Sequence, residues 1–336
     1  MRGFEIDNKE NAVRLQVDGQ DGVVRVVYDC PAEGVNIQAR VTLPSGSARQ
    51  SLDNLCAAAA QPESSRDALT QARILRLSKR TTYSFRPVAS LVRRATAWLF
   101  ASNEITNWSY DLTARNEGHM AAAIALVTKQ PLKHVRAWMA EPNADEALKA
   151  HVMSTIAALP VGRAAIADAV PRWGRRLGWY AVVRALKPKL VIETGLDKGL
   201  GAVLLCAALK RNAAEGHPGR YLGTDINPNA GYLLGGPYAP FGKIAYGDSI
   251  ATLKTLTDAV DILINDSDHS ADYEYNEYTT LAPLFHDGSV ILGDNAHVTD
   301  KLLQFATETD RKFLFVQDVP DDHFYSGGSG IGFAFR

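Results

Sequence analysis

Two stretches decide the fold: Ile262-Leu263-Ile264-Asn265-Asp266-Ser267-Asp268-His269 and Val290-Ile291-Leu292-Gly293-Asp294-Asn295-Ala296-His297. Each is a short apolar run that ends in a polar, acidic cluster. With a helical pattern between them, they predict parallel strands whose ends meet at one edge of a sheet. Asp266, Asp294 and the Asn295 amide place hard oxygen ligands there, beside His269 as a proton acceptor. The group suits a divalent cation such as Mg²⁺, and it equally suits a polar substrate bound directly.

Working outward, strands are expected at 190–193, 221–225, 243–246, 261–265, 289–292, 312–316 and 331–335. Helical segments such as 202–211 and 271–284 fall between most of them. Alternation of this kind implies right-handed crossovers and a mostly parallel sheet covered on both faces. The last two runs have no helical pattern between them and read as an antiparallel pair at the edge. Upstream the texture differs. Residues 1–60 alternate apolar and polar residues between turn signals such as Asp18-Gly19 and read as a small antiparallel sheet. Residues 61–175 read as mainly helical, and 176–336 as the α/β domain.

Bulk composition narrows the function. The chain has 336 residues, is 46% hydrophobic and carries a formal net charge of −1. That supports a substantial core and gives no reason to expect nucleic acid or an anionic membrane as partner. Cys30, Cys56 and Cys206 form neither a disulfide framework nor a CxxC zinc pattern, so a reducing cytoplasm is expected. The N-terminus shows no apolar signal region, and no 18-residue apolar run occurs.

Three further strand ends carry ligand-type residues. Glu193-Thr194-Gly195-Leu196-Asp197-Lys198-Gly199-Leu200-Gly201 follows the first strand and opens a helix. Its glycines allow a sharp turn and a close approach of backbone to a ligand. The spacing GxxxGxG differs from the GxGxxG dinucleotide fingerprint, and a plain strand-to-helix turn is the alternative. One βαβ unit later, Gly223-Thr224-Asp225-Ile226-Asn227-Pro228 places a carboxylate that could accept both hydroxyls of a ribose or cap a turn. After the third strand, Gly247-Asp248-Ser249 suits an adenine edge or a helix cap.

The ordered set ETGxxxGxG, DINP, GDS, DSDH and GDN resembles that of class I S-adenosylmethionine-dependent methyltransferases. It looks most like the catechol-type and the macrocin-type (macrolide-sugar) O-methyltransferases. The resemblance spans about residues 175–336 and implies a Rossmann-like, doubly wound, mostly parallel seven-stranded sheet with an antiparallel edge. It places Glu193 and Gly195 against the methionine part of the cofactor, Asp225 on the ribose, and Asp248 and Ser249 beside the adenine. Thr194, Gly199, Ile226, Gly247 and Asp266 complete those contacts. Asp266, Asp294 and Asn295 match the metal ligands, and His269 with Asp266 the catalytic pair. Catechol-type enzymes carry a lysine where this chain has His269, whereas the sugar enzymes carry histidine. That difference favours a glycoside or aminoglycoside acceptor in secondary-metabolite (antibiotic) biosynthesis over a phenol.

Methyl transfer from a sulfonium needs alignment and removal of one proton, and an imidazole of pKa about 6.5 can accept it at neutral pH. Oxygen and nitrogen acceptors both remain open. Asp268, His297 and Tyr325 are expected to contact the acceptor. Tyr325 belongs to the glycine-rich tail Asp321-Asp322-His323-Phe324-Tyr325-Ser326-Gly327-Gly328-Ser329-Gly330, read either as a substrate-covering loop or as an ordinary hairpin. Segment 108–116 reads as a structural turn or as a cover over the cofactor or acceptor, Tyr273 and Tyr275 as packing or surface cover, and Pro171-Arg172-Trp173-Gly174-Arg175-Arg176 as a solvated basic turn or a site that meets an anionic group. The N-terminal half is expected to shape acceptor specificity, dimerisation, or both. Competing readings are an NAD-dependent oxidoreductase, disfavoured by the glycine spacing, and a non-catalytic module, disfavoured by the intact polar strand ends.

Overall fold

The computed structural model describes residues 2–8, 11–18, 23–42, 50, 54, 57, 61–105, 109–268, 270–294, 296–321, 323–324 and 328–336. The chain divides into two units, Met1–Ala101 and Ser102–Arg336. In the first, β1 (Arg2–Asn8), β2 (Asn11–Asp18), β3 (Val23–Cys30) and β4 (Val35–Thr42) form an antiparallel meander in sequence order. On β3 the two-residue period is plain: Val26, Tyr28 and Cys30 are buried while Arg25 and Asp29 are exposed. The long helix α1 (Ala68–Ala101) covers that face, packing Ala89, Ile74, Leu77 and Phe85 against it. A meander of this size needs such a cover, because a small sheet alone buries too little apolar surface.

The second unit begins with helices α2 (Ala114–Thr128), α3 (Leu132–Ala144), α4 (Glu146–Ala157), α5 (Val161–Ala164) and α6 (Arg176–Leu186). Thr113 caps α2 by accepting from the Asn116 amide, and Asp145 caps α4 by accepting from the Leu148 amide, each filling one of the orphan donors at a helix start. The α/β alternation follows: β5 (Leu190–Thr194), α7 (Leu200–Ala214), β6 (Arg220–Asp225), β7 (Gly242–Tyr246), α8 (Ser249–Leu253), β8 (Val260–Asn265), α9 (Ala271–Leu281), β9 (Phe285–Gly293), α10 (Lys301–Glu308), β10 (Lys312–Gln317) and β11 (Gly330–Phe335).

These seven strands form one sheet in the order β10-β11-β9-β8-β5-β6-β7. Neighbours from β9 to β7 run parallel, and β11 is antiparallel to both β9 and β10. This is the mostly parallel sheet that the alternation implies and the Rossmann-like, doubly wound form that the resemblance implies. Its strands bury both faces. On β5, Val191 joins the core shared with α2–α4, α6 and α7, whereas Leu190 and Ile192 join the core shared with α9 and α10. Continuous apolar strands are what that geometry demands, and truncating a fully buried Ile192 or Ile264 to Ala would cost about 2–5 kcal/mol. Among the described residues no helix is long and apolar enough to cross a membrane.

Candidate active site

The strand order reverses between β5, which continues toward β6, and β8, which continues toward β9. A crevice opens outside the carboxyl ends of the strands at such a switch point. Here the strand ends are flush, since Thr194 pairs with both Thr224 and Asn265, and Asn265 with Gly293. The first residue after each strand is tied to its neighbour. Gly195 N donates to Thr224 O at 2.9 Å, Asp266 N to Thr194 O at 2.8 Å, Asp294 N to Asn265 O at 2.9 Å and Gly247 N to Asp225 O at 2.9 Å. Glu193, Thr194, Gly195, Asp225, Gly247, Asp266 and Asp294 therefore share one edge.

The glycines of the first turn have causes inside the protein. Gly195 has φ +80°, and a Cβ there would lie 1.9 Å from the Asp266 carbonyl oxygen. A Cβ on Gly201 would lie 2.2 Å from Glu193 Oε1. The missing side chains let the β5 loop lie against the β8 loop and let the Glu193 carboxylate sit at the start of α7, where the helix end favours negative charge. Gly199, at φ +87°, approaches the backbone of Gly231. Glu193 is 2% exposed and accepts from the Tyr221 hydroxyl at 2.5 Å. Burial pushes its carboxyl up to about 7, with the Tyr221 hydrogen bond and Arg176 pulling the other way.

Asp225 uses both oxygens on nearby backbone: Oδ2 accepts from Leu196 N at 2.9 Å and Asp197 N at 3.2 Å, and Oδ1 from Asn227 N at 2.8 Å. It braces the glycine turn. Ile226 beside it is 81% exposed, an apolar side chain standing free at the strand end. Asp248 caps α8 by accepting from Ala251 N at 2.6 Å, and the Tyr273 hydroxyl lies 3.1 Å from its Oδ2 and 2.8 Å from Ser249 Oγ. Tyr273, expected as surface packing, thus joins two of the residues expected beside the adenine.

On the other side of the crevice the Asp266 and Asp294 carboxyls lie next to each other. Burial and the adjacent Asp294 carboxylate hold the Asp266 carboxyl well above the usual carboxylate range, opposed by Arg176 and Arg175. The run Pro171-Arg172-Trp173-Gly174-Arg175-Arg176 is not the solvated basic turn expected of it. Arg172 is exposed, but Arg175 is 2% exposed and reaches Asp294 Oδ1 at 2.7 Å, Asp318 Oδ2 at 2.8 Å and the Gly330 carbonyl at 3.1 Å. Tyr110 completes this group, donating to Asp318 Oδ2 at 2.9 Å. The described part of 108–116 is structural: Tyr110 bridges to Trp173, Leu112 to Pro320, and both are buried. Two apolar anchors, Trp173 and Leu177, flank the arginines in sequence and were the available sign that this turn is buried.

Glu277 and Glu274 were also missed. Glu277 is fully buried and accepts from Thr194 Oγ1 and Ser267 Oγ, each at 2.9 Å, and from Ser249 Oγ and Asn265 Nδ2. Burial raises its pKa against the pull of those four donors. Glu274 accepts from the Tyr278 hydroxyl at 2.7 Å and from Thr299 Oγ1 at 2.5 Å. Glu274, Glu277, Tyr278 and Leu281 lie at i, i+3, i+4 and i+7, so helical spacing puts them on the sheet-facing side of α9.

Of the residues expected at the acceptor, Asp268 is exposed and accepts from Ser270 N at 2.8 Å ahead of α9. His297 is exposed, with Nδ1 3.2 Å from the Asp294 carbonyl and Nε2 3.4 Å from Ser329 Oγ, so it lies between β9 and the tail. In that tail Asp318 N donates to Ser329 O at 2.8 Å, closing a hairpin whose His323 is buried. His269, Asn295 and Tyr325 lie outside the described residues. No cluster of three or more His, Cys, Asp or Glu suited to a metal occurs among the described residues. Asp266 and Asp294 supply two hard donors side by side, which fits a divalent cation, although Arg175 already engages one Asp294 oxygen.

Residues 192–296 match the family model of a methyltransferase domain. Over that stretch the chain is similar to a methyltransferase domain. The match begins on β5 and ends just past β9, so it spans the switch point and the tied strand ends. Among solved structures, the chain is similar to the O-methyltransferase TomG from Streptomyces achromogenes, at 18% identity over 57% of this chain and 89% of that one, with a TM-score of 0.39. It is similar to an O-methyltransferase from Bacillus cereus at 16% identity, over 60% and 98%, with a TM-score of 0.39. The Podospora anserina methyltransferase PaMTH1 shows 16% identity over 56% and 87%, with a TM-score of 0.39. No curated protein sequence matches the chain.

Proposed function

We propose that this methyltransferase domain uses S-adenosylmethionine and methylates a hydroxyl or amino group of a small glycoside- or aminoglycoside-like acceptor. The observation that carries the reading is the tied set of strand ends at the switch point, with Glu193, Asp225 and Ser249 toward one side and the Asp266–Asp294 pair toward the other. In this reading the cofactor lies over the β5–β7 ends. Glu193 meets the methionine amine, Asp225 turns toward the ribose and Ile226 offers an apolar surface near the adenine. The acceptor lies over β8 and β9, near Asp268 and His297, and Tyr325 is proposed as a further contact.

When bound, S-adenosylmethionine would supply a methyl group on a sulfonium that takes the carbon–sulfur electron pair as the acceptor heteroatom is methylated; His269 would accept the acceptor's proton. Asp266, Asp294 and Asn295 are the residues that would hold a Mg²⁺ ion. When bound, it would orient two adjacent acceptor heteroatoms and lower a hydroxyl pKa. The first unit and α2–α5 would shape the acceptor side or a homodimer contact.

Labelled methyl transfer from S-adenosylmethionine, screened over glycosides, aminoglycosides and catechols, tests this. Transfer to a sugar hydroxyl or amine supports the reading, whereas transfer to catechols alone contradicts the acceptor assignment. His269→Ala should keep cofactor affinity while cutting turnover by at least ~100-fold, the scale of general-base catalysis. Near-normal turnover would remove it from the base role.

A further inference from the structure

Glu277 lies outside the crevice, yet its one carboxylate ties together three of the strand ends that build it. Thr194 comes from the end of β5, Ser249 from the start of α8, and Asn265 and Ser267 from the end of β8 and the loop beyond. Three of these donors converge on Oε2, and Ser249 alone meets Oε1. An ionised carboxylate offers about four acceptor sites, two on each oxygen, so the three donors on Oε2 crowd one oxygen while Ser249 meets the other. Cofactor-side groups (Thr194, Ser249) and the acceptor-side loop (Ser267, next to Asp266 and Asp268) therefore share a single buried acceptor.

We propose that Glu277 is the positioning residue that couples the cofactor loops to the acceptor loop, so that filling one half orders the other. The inference rests on the functional reading above. A buried acceptor with several donors cannot release one of them without leaving a polar group unpaired, which makes the three loops move as a set. Glu277→Gln keeps the shape. Its amide nitrogen fits the Oε1 side, where the Ser249 hydroxyl can rotate to accept, but its carbonyl is a weaker acceptor for the three donors on Oε2.

The test combines S-adenosylhomocysteine titration, melting and amide hydrogen exchange on the full chain. In wild type, S-adenosylhomocysteine should slow exchange at 194–201, at 247–252 and also at 264–270. Glu277→Gln should still melt cooperatively, bind S-adenosylhomocysteine roughly 10- to 100-fold more weakly, the range for lost supporting contacts, and lose the protection at 264–270 first. Undiminished protection there, with wild-type affinity, overturns the proposal. Should Glu277→Gln not fold, Ser267→Ala decides: it cuts one tie on the acceptor side, so protection at 264–270 should fall while affinity holds, and unchanged protection overturns the coupling. A wild type that does not bind S-adenosylhomocysteine defeats the functional reading instead. The tie is then judged in the unliganded protein, where Glu277→Gln must speed exchange in all three segments together or be wrong.

Discussion

Arg175 gathers Asp294, Asp318 and the Gly330 carbonyl on one guanidinium that is 2% exposed. Removing one partner of a buried ion pair leaves uncompensated charge, which costs about 3–5 kcal/mol. Arg175→Met should therefore lower the melting temperature strongly, and adding Asp318→Asn should restore part of the loss. Equal melting of wild type and Arg175→Met would show that the network contributes nothing. Glu193 gives a pH signature. Its carboxyl sits at about 7 in the folded chain against about 4.3 unfolded, so the folded state holds the extra proton between those values. Its contribution to stability is present below about 4.3 and is lost as pH rises through 7. Glu193→Gln should flatten the fall in melting temperature between pH 5.5 and 8, and an unchanged slope would contradict the assignment. Asp266 is raised too, so a cation on the Asp266–Asp294 pair must displace a proton. Mg²⁺ affinity should therefore increase with pH, and pH-independent binding would place the ion elsewhere.

At the scale of elements, the β5–α7 turn works through absence of side chains. Gly195→Ala would drive a Cβ to 1.9 Å from the Asp266 carbonyl in a backbone region that disfavours side chains. It should misfold the crevice or melt far below wild type. Gly201→Ala would instead press on the Glu193 carboxylate and should weaken cofactor binding more than it weakens the fold. Circular dichroism melts beside cofactor titrations distinguish the two, and two wild-type results would refute the packing argument. The strands and their order of motifs were legible in sequence because an apolar run followed by a polar cluster reports a strand end directly. The antiparallel β10–β11 pair was legible from the missing helix between its runs. Arg175 and Glu277 were not. Their meaning depends on partners far along the chain, Asp294 for one and Thr194 for the other, and a charged residue beside a turn looks the same buried or solvated. The glycines were read as allowing a sharp turn and a close approach to a ligand, and the structure adds close backbone and carboxylate neighbours that sequence could not show.

For the whole molecule, one core lies within Met1–Ala101, formed by β3 and β4 with α1, and two more lie within Ser102–Arg336, one on each face of the seven-stranded sheet. The methyltransferase match falls entirely within Ser102–Arg336. That unit expressed alone should fold and bind S-adenosylhomocysteine with the affinity of the full chain, and loss of binding would show that residues 1–101 contribute to the cofactor site. The central claim is that the switch-point crevice is an S-adenosylmethionine site. Calorimetric titration of the full chain with S-adenosylhomocysteine, run beside NAD⁺ and repeated with Mg²⁺ and with EDTA, tests it most directly. The account predicts saturable binding of S-adenosylhomocysteine, none of NAD⁺, and loss of binding in Asp225→Ala. Binding of NAD⁺ in preference, or of neither ligand, would contradict it.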